Sequence, residues 1–407
     1  MKILIINTSG SNGGAAIAAT RLRSALYSMG QQATMLVAGN LSYKASKMRE
    51  RLGVFVRQGC SLAHLWDIDP ATAGVDITKT RDFKEADIIH LHWVNQGFLS
   101  LKILRRIFAS GKPVVWTMHD AWPFTGICHS PLDCRHFRHH CGNCMLLRRQ
   151  SHSDWSQRVW KKKAQLYGTA HRIAFVACSQ WLADMARSSS LLADHTVLDI
   201  PNPIDTQLFA PADRQEARRQ LGLPPDKQYI FFSAYNVNAP IKGLRYLREA
   251  CAQLVMADPA MQDRIAIVCA GRGAGQLQED MPVKVYPMGY ITDPRRMAVI
   301  YNAVDLFCIP SLQENLPNTI MEAKACGVPT VGFRVGGIPQ MIDHQSDGYL
   351  AEPQDASDLA RGIRWVLREA DAAQLSRLNR AAAEEQYSEP RVAERYMQLY
   401  HKMINES

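Results

Sequence analysis

Ala303-Val-Asp-Leu-Phe-Cys-Ile-Pro310 and the residues that follow it, Ser311-Leu-Gln-Glu314-Asn315-Leu316-Pro317-Asn318-Thr319-Ile-Met-Glu322-Ala-Lys-Ala-Cys-Gly327-Val-Pro329, spell a strand, a loop and a helix. The apolar run up to Pro310 has the length and composition of a buried strand, and Asn318 to Cys326 has helical spacing, stopped by Gly327 and Pro329. In such a unit the loop leaves the carboxyl end of a parallel strand. The helix then presents unpaired N–H groups and the positive end of its dipole, which suit an anionic ligand. Two carboxylates, Glu314 and Glu322, stand eight positions apart around this turn. Glu314 lies in the loop, where it can accept hydrogen bonds from hydroxyls held against the helix N-terminus. Glu322 lies about one turn into the helix, where a carboxylate can take both hydroxyls of a ribose.

Working outward, the same alternation of strand and helix runs through all 407 residues. The chain opens on an apolar run, Ile3 to Ile6, that passes into Gly13-Gly14 and a helical stretch through Leu26. Glycines at that junction let backbone N–H groups approach a phosphate, although the Gly-x-Gly-x-x-Gly spacing of dinucleotide sites is absent. Val114-Val-Trp-Thr117-Met is a buried strand ending in His119-Asp120 and the aromatic turn Trp122-Pro123-Phe124-Thr125-Gly126. Its carboxyl end is where open α/β sheets bind ligands. His90 and His92 end the preceding strand and read as architectural. In the second half, Tyr229 to Ser233 is a strand, followed by Pro240-Ile241-Lys242-Gly243 at the opening of a helix.

Taken together, these segments resemble the retaining glycosyltransferases of family 4 (group 1), which take sugars from nucleotide-diphosphate donors. Glu314 to Glu322 matches their Glu-x7-Glu signature, Gly13-Gly14-Ala15 their first glycine turn, and Lys242-Gly243 their Arg-Lys-Gly turn. The resemblance implies the GT-B architecture: two Rossmann-like, doubly wound parallel-sheet α/β domains with a cleft between them. It implies that Gly13, Gly14 and Lys242 hold the diphosphate, that Glu322 holds the ribose, and that Glu314 with Asn315, Leu316, Pro317, Asn318 and Thr319 holds the sugar. His119, Glu314 and Lys242 are the expected catalytic residues. Ile241 stands where an Arg often precedes the Lys, and no Arg occupies Ala234 to Asn236, so Arg272 is the candidate to supply the missing charge. Expected boundaries are 1–200 for an acceptor-side domain, 201–385 for a nucleotide-sugar domain, and 386–407 for a helix returning to the first domain. A hinge is expected at Ile200-Pro201-Asn202-Pro203-Ile204-Asp205.

Hydrophobic content of 47% and charged content of 21% describe a globular chain. The net charge of +9 is uneven: residues 1–200 carry 25 Lys plus Arg against 13 Asp plus Glu, and the remainder carries 22 against 25. Leu41 to Arg57 mixes basic and bulky apolar residues, and Lys161-Lys162-Lys163 adds a cluster. This surface is either a solvated basic face or one that meets an anionic membrane or a diphosphate-bearing lipid. No zinc finger, RNA-binding aromatic motif or basic heptad is present, so nucleic acid is not expected. No apolar run spans a membrane, and the expected place is cytoplasmic, peripheral at the inner face of the cytoplasmic membrane.

Four of the ten cysteines, Cys128, Cys134, Cys141 and Cys144, crowd into the loop after His119. Free thiols or a metal are the choices in a reducing compartment, and the closing Cys-x2-Cys favours a structural zinc. Cys60, Cys178, Cys251, Cys269, Cys308 and Cys326 read as small buried apolar residues. No Asp-x-Asp motif lies at a strand end, so no cofactor is called for in catalysis. One subgroup of the resembling family shares the Trp-Pro-Phe-Thr-Gly and Cys-rich loop, and implies surface polysaccharide, exopolysaccharide or O-antigen assembly in bacteria. The expected partners are a UDP-, GDP- or ADP-sugar and a glycan or polyprenyl-diphosphate-linked acceptor. A nucleotide-sugar epimerase of the same fold and a non-catalytic nucleotide-sugar-binding protein are the alternatives.

Overall fold

A computed structural model describes residues 1–39 and 41–405, which form two compact units. The first comprises Met1–Pro203 and the chain from Val392 onward, and the second Ile204–Arg391. The change of unit falls between Pro203 and Ile204, and the return falls inside the last helix, Glu389–Asn405. Residues 406 and 407 of the expected C-terminal segment lie outside the described residues.

The first unit is built on β1 (Lys2–Asn7), β2 (Gln32–Val37), β3 (Ile88–Leu91), β4 (Val114–Met118), β5 (Ile173–Ala177) and β6 (Thr196–Asp199). All pairings are parallel, in the order β2-β1-β3-β4-β5-β6. Every residue of β3, β4 and β5 is buried, as expected of parallel strands covered on both faces. The last helix seals one face. Its Val392, Ala393, Tyr396, Met397, Leu399, Tyr400 and Met403 recur every three or four residues and pack with Ile3, Ile5, Ile88, Val115 and Val176. Polar bonds fix it as well: His90 Nδ1 lies 2.6 Å from Tyr400 Oη, and Thr117 Oγ1 lies 2.8 Å from Tyr396 Oη.

The second unit carries β7 (Gln228–Asn236), β8 (Ile265–Arg272), β9 (Lys284–Gly289), β10 (Leu306–Ile309), β11 (Thr330–Phe333) and β12 (Gly348–Ala351). This sheet too is parallel, in the order β12-β11-β10-β7-β8-β9. The chain starts in the middle, works to one edge, then returns to build the other half. Strand order therefore reverses between β7 and β10, and in such sheets the connections at the carboxyl ends diverge there and leave a crevice.

Two expectations fail here, one on helical phase and one on a turn. Lys163 is fully buried, its Nζ donating to the carbonyls of Trp122 (2.6 Å) and Thr125 (3.0 Å) beneath the Trp122 ring. Three successive helical residues sweep about 200° of arc, so a run of three lysines at this phase sends one inward. Cys60 is exposed, with a positive φ of 60°, in the turn after the helix Leu41–Arg57. The other five cysteines of that group are buried.

Candidate functional site

In the second unit the predicted donor residues gather at the reversal point. Lys242 follows β7 and Glu314 follows β10, and Lys242 Nζ donates to Glu314 Oε1 at 2.6 Å. The two loops are bound by backbone as well, since Leu312 N donates to Ile241 O at 2.8 Å. Gly243 makes this approach possible: at φ 70° a Cβ there would sit 1.8 Å from the carbonyl oxygen of Pro310. Gly336 does the same for the backbone of Glu314 itself. Its φ is 56°, a Cβ would meet the Glu314 carbonyl oxygen at 1.8 Å, and Gly337 N donates to that oxygen at 3.1 Å.

The helix Asn318–Ala325 begins directly behind Glu314, with no side-chain cap and no acidic residue in its first turn, so its positive end is uncompensated. Glu322, one turn in, is buried, and Tyr301 Oη donates to its Oε2 at 3.2 Å and to Thr319 O at 3.1 Å. Leu316 is buried, so this member of the predicted sugar loop offers a ligand only its backbone. Arg272 ends β8 opposite Asn236 of β7, the strand end that lacks the expected Arg. Its guanidinium lies 4.8 Å over the ring of Tyr235 and 5.4 Å over that of Tyr290, two exposed aromatics packed edge to face. Tyr301, Gly336 and this tyrosine pair were not legible as site residues. Tyr301 sits in the last turn of an ordinary amphipathic helix, and Gly336 is one glycine among 25.

In the first unit, Gly13 has φ 90° and leads into the helix Gly14–Ser28, which likewise has no side-chain cap and no acid in its first turn. An anion could be held there by backbone N–H groups. His119 follows β4 and is half-buried. Its Nε2 lies 2.9 Å from His92 Nδ1 and its Nδ1 lies 3.4 Å from Cys178 Sγ. Burial holds it down to about 4, against the pull of the Asp120 carboxylate, so near neutral pH it is an uncharged imidazole. His92 is likewise pushed well below the usual range by burial and by His90 and His119. Asp120 accepts from Trp93 Nε1 (2.8 Å), Trp122 N (2.9 Å) and His129 Nδ1 (2.8 Å), which ties the aromatic turn to the strand end. Burial opposes charge on His129, but the Asp120 carboxylate outweighs it and the imidazole is raised.

The expected zinc ligands do not form a ligand set in this structure: among the described residues no three His, Cys, Asp or Glu side chains are grouped to hold a metal ion. Cys128, Cys134, Cys141 and Cys144 are free thiols. Burial pushes Cys128 up to about 12 and Cys141 to about 11, which favours the protonated thiol.

A doubly wound sheet with a cation, two carboxylates and a helix N-terminus at its reversal point is the arrangement at which open α/β sheets bind ligands. Sequence comparison gives the family. Residues 12–208 match the model "Glycosyltransferase Family 4", and residues 226–369 match "Glycosyl transferases group 1". Between them the two models span most of the chain, and they place it among the family 4 (group 1) glycosyltransferases. A D-inositol 3-phosphate glycosyltransferase of Geodermatophilus obscurus is 32% identical over 203 residues, 46% of this chain and 45% of that protein. The chain thus spans about half the length of the curated relatives it matches. The fold matches a sucrose-phosphate synthase of Thermosynechococcus elongatus (TM-score 0.69, 19% identity, covering 100% and 99% of the two chains). It also matches HepE of Anabaena in complex with UDP (TM-score 0.63, 18% identity, covering 99% and 100%). Both likenesses concern the fold, two doubly wound parallel-sheet units of GT-B type. Among the described residues no helix is long and apolar enough to cross a membrane.

Proposed function

We propose that this chain is a retaining glycosyltransferase that moves a sugar, of hexosyl type, from a nucleotide-diphosphate donor to a glycan or polyprenyl-diphosphate-linked acceptor in bacterial surface polysaccharide assembly. The observation that carries the reading is the pairing of Lys242 with Glu314 at the β7/β10 reversal, with Glu322 one helical turn behind. In this reading Glu322, held by Tyr301, takes the ribose hydroxyls, and the N-terminus of Asn318–Ala325 with Lys242 faces the diphosphate. Glu314 takes hydroxyls of the sugar.

As transfer proceeds, the bond from the anomeric carbon to the phosphate oxygen breaks and the bond to the acceptor oxygen forms on the same face. Negative charge grows on the departing phosphate, and its stabilisation by Lys242 and the helix dipole is the main catalytic task. The same phosphate takes the acceptor's proton, so no separate base is assigned. His119, uncharged and bonded to His92, is assigned to shaping the sugar pocket. Gly13 and Gly14 are assigned to the donor phosphates and Arg272 to the charge that the missing Arg leaves vacant. The surface-polysaccharide setting is supported by the Trp122 to Gly126 turn and its Cys-rich loop, and a place at the inner face of the cytoplasmic membrane by the basic excess of residues 1–200.

The test is a screen of nucleotide-sugars for thermal stabilisation, followed by nucleotide release with and without membrane lipid extract. HepE was solved with UDP and with UDP-glucose, so UDP forms are assayed first. Lipid-dependent release from one donor supports the transferase. Binding without release would replace it with a nucleotide-sugar-binding protein, and donor conversion without acceptor with an epimerase.

A further inference from the structure

The helices Leu101–Phe108 and Trp155–Tyr167 of the first unit pack side by side. With the turn Pro70 to Thr72 and the end of the helix Leu41–Arg57 they enclose a groove of about 780 Å³. Its floor is apolar, formed by Ala71, Leu101, Val159 and Leu166. Its rim is cationic: Arg57, Lys102, Arg105, Arg158, Lys161 and Lys162 line it, all six are exposed, and no acidic residue lines it. Trp155, Arg158, Val159, Lys162, Gln165 and Leu166 recur every three or four residues, so one face of their helix runs along the groove for about 16 Å.

Elsewhere on the same helices, cations meet carboxylates. Arg106 pairs with Asp76 at 2.5 Å, and Arg51 with Asp69 at 3.0 Å. Among the described residues none of the six groove cations is ion-paired with a carboxylate. Asp154, which precedes the second helix, is buried, and its carboxylate accepts from Cys144 N, Ser156 N and Gln157 N. Six like charges around one concavity repel one another unless an anion lies among them. The groove's aromatic ring is already covered: the Arg57 guanidinium lies 4.6 Å from the ring centre of Trp155, which also packs against the cluster of Val54, Ile68 and Val159.

We infer that this groove binds an acidic glycan, a chain of sugar rings carrying carboxylates. The carboxylates meet the rim, where arginine takes them in a bidentate way, and the C–H faces of the rings lie on the apolar floor. Gln165 and the lysines donate to ring hydroxyls. Charge and shape together select this occupant. Single-stranded nucleic acid needs open aromatic faces for its bases, and Trp155 offers none. A bilayer surface is flat and would meet the rim alone, and an inorganic polyanion would leave the floor in water. Both helices start at the carboxyl end of the sheet, the end that carries His119, so a glycan lying along the groove has one end there. The inference rests on the proposed function for the glycan's role as acceptor and deepens it by naming the acceptor's class. It can fail separately, because binding in the groove requires no transfer.

The experiment is calorimetric titration of the full chain with hexagalacturonate, with maltohexaose as the neutral glycan and linear hexaphosphate as the anion without rings. Hexagalacturonate is expected to bind roughly tenfold or more tightly than either of the others, and less tightly at high salt. Arg158→Glu/Lys162→Glu should weaken it by roughly tenfold or more, whereas Lys44→Glu/Arg49→Glu, which reverses two exposed cations of the same unit outside the groove, should change it by less than about threefold. Melting temperature and donor-induced stabilisation should be unchanged in both variants. Absence of hexagalacturonate binding would overturn the inference, as would equal binding of hexaphosphate, which would mark a general polyanion site. Equal loss in the two variants would overturn it too, by assigning the binding to net charge. Hexagalacturonate binding in a chain that transfers no sugar would uphold the groove and overturn the transferase, while transfer to neutral glycans without hexagalacturonate binding would do the reverse.

Discussion

Lys242 Nζ and Glu314 Oε1 stand 2.6 Å apart, so the cation assigned to the leaving diphosphate is already bonded to the carboxylate assigned to the sugar. Neither side chain is deeply enclosed, at 31% and 16% exposure, and a pair of this kind contributes about 1 kcal/mol at most. A diphosphate entering beside Lys242 competes with Glu314 for it. Glu314→Gln removes the competing charge and keeps the side chain's length. The variant is expected to bind free nucleoside diphosphate about threefold more tightly by calorimetry. Transfer should fall by roughly a hundredfold through loss of the sugar contact. Lys242→Ala should weaken both. If Glu314→Gln instead weakens nucleotide binding, Lys242 and Glu314 act as one structural unit and the proposed division of roles is wrong.

His119 yields a prediction about pH. Burial holds its imidazole down to about 4, and its nitrogens face His92 and Cys178, so its protonation does not change between about pH 5 and 8. The rate of transfer should therefore show no limb in that window that disappears in His119→Asn. His119→Ala should slow transfer by about a hundredfold or more while leaving nucleotide-induced stabilisation nearly intact. A bell-shaped profile whose limb near neutrality vanishes with His119→Asn would restore His119 as a proton-transfer group.

How far the site was legible depends on where each residue lies along the chain. Lys242, Glu314 and Glu322 stand at junctions of strand, loop and helix, and Pro240, Gly243, Pro310, Pro317 and Gly327 punctuate those junctions in the sequence. The parallel sheets were legible for a related reason, since strands buried on both faces are nearly continuous apolar runs. Tyr301 and Gly336 were hidden because what they touch is set by strand order, which a linear sequence does not state. Tyr301 meets Glu322 only because the helix Pro294–Ala303 lies against Asn318–Ala325. Lys163 and Arg51 were misplaced on a basic surface because composition counts charges without their helical phase. The four clustered cysteines had a plausible spacing, but spacing does not fix the fold of the loop that carries them.

Glu50 gives the chain a pH-dependent stability unrelated to catalysis. Burial, and then the nearby Asp69 carboxylate, raise its carboxyl from 4.5 to about 7, against the hydrogen bonds from Thr72 and Ala73. Between those two values the folded state keeps a proton that the unfolded chain has lost. Stability from this group therefore falls as pH rises from about 4.5 to about 7 and stays low above. Glu50→Gln keeps an acceptor for the Thr72 and Ala73 donors and removes the titration. Its melting temperature should drop less between pH 5 and pH 8 than that of the parent chain, by about 3 °C or more. An unchanged slope would assign the pH dependence to other groups, such as His129, whose raised imidazole also loses stability as pH climbs.

Gly336 and Gly222 allow the geometry around Glu314 to be tested against an internal control. Both glycines are left-handed, at φ 56° and 67°, so replacing either with Ala carries a similar backbone cost of about 1 kcal/mol. Their surroundings differ. A Cβ on Gly222 meets nothing within 4 Å, whereas one on Gly336 would lie 1.8 Å from the carbonyl oxygen of Glu314. That overlap can be relieved only by moving the backbone of one loop, which carries Glu314 away from Lys242 and loosens the bond from Gly337 N to Glu314 O. Gly222→Ala should lower the melting temperature by a few degrees and leave donor binding unchanged. Gly336→Ala should lower it by about twice as much and weaken donor binding by roughly tenfold or more, because the displaced loop also leads into the helix that bears Glu322. Equal effects of the two substitutions would mean that the Glu314 loop yields without consequence, and that its close packing against Gly336 does not hold the donor site in place.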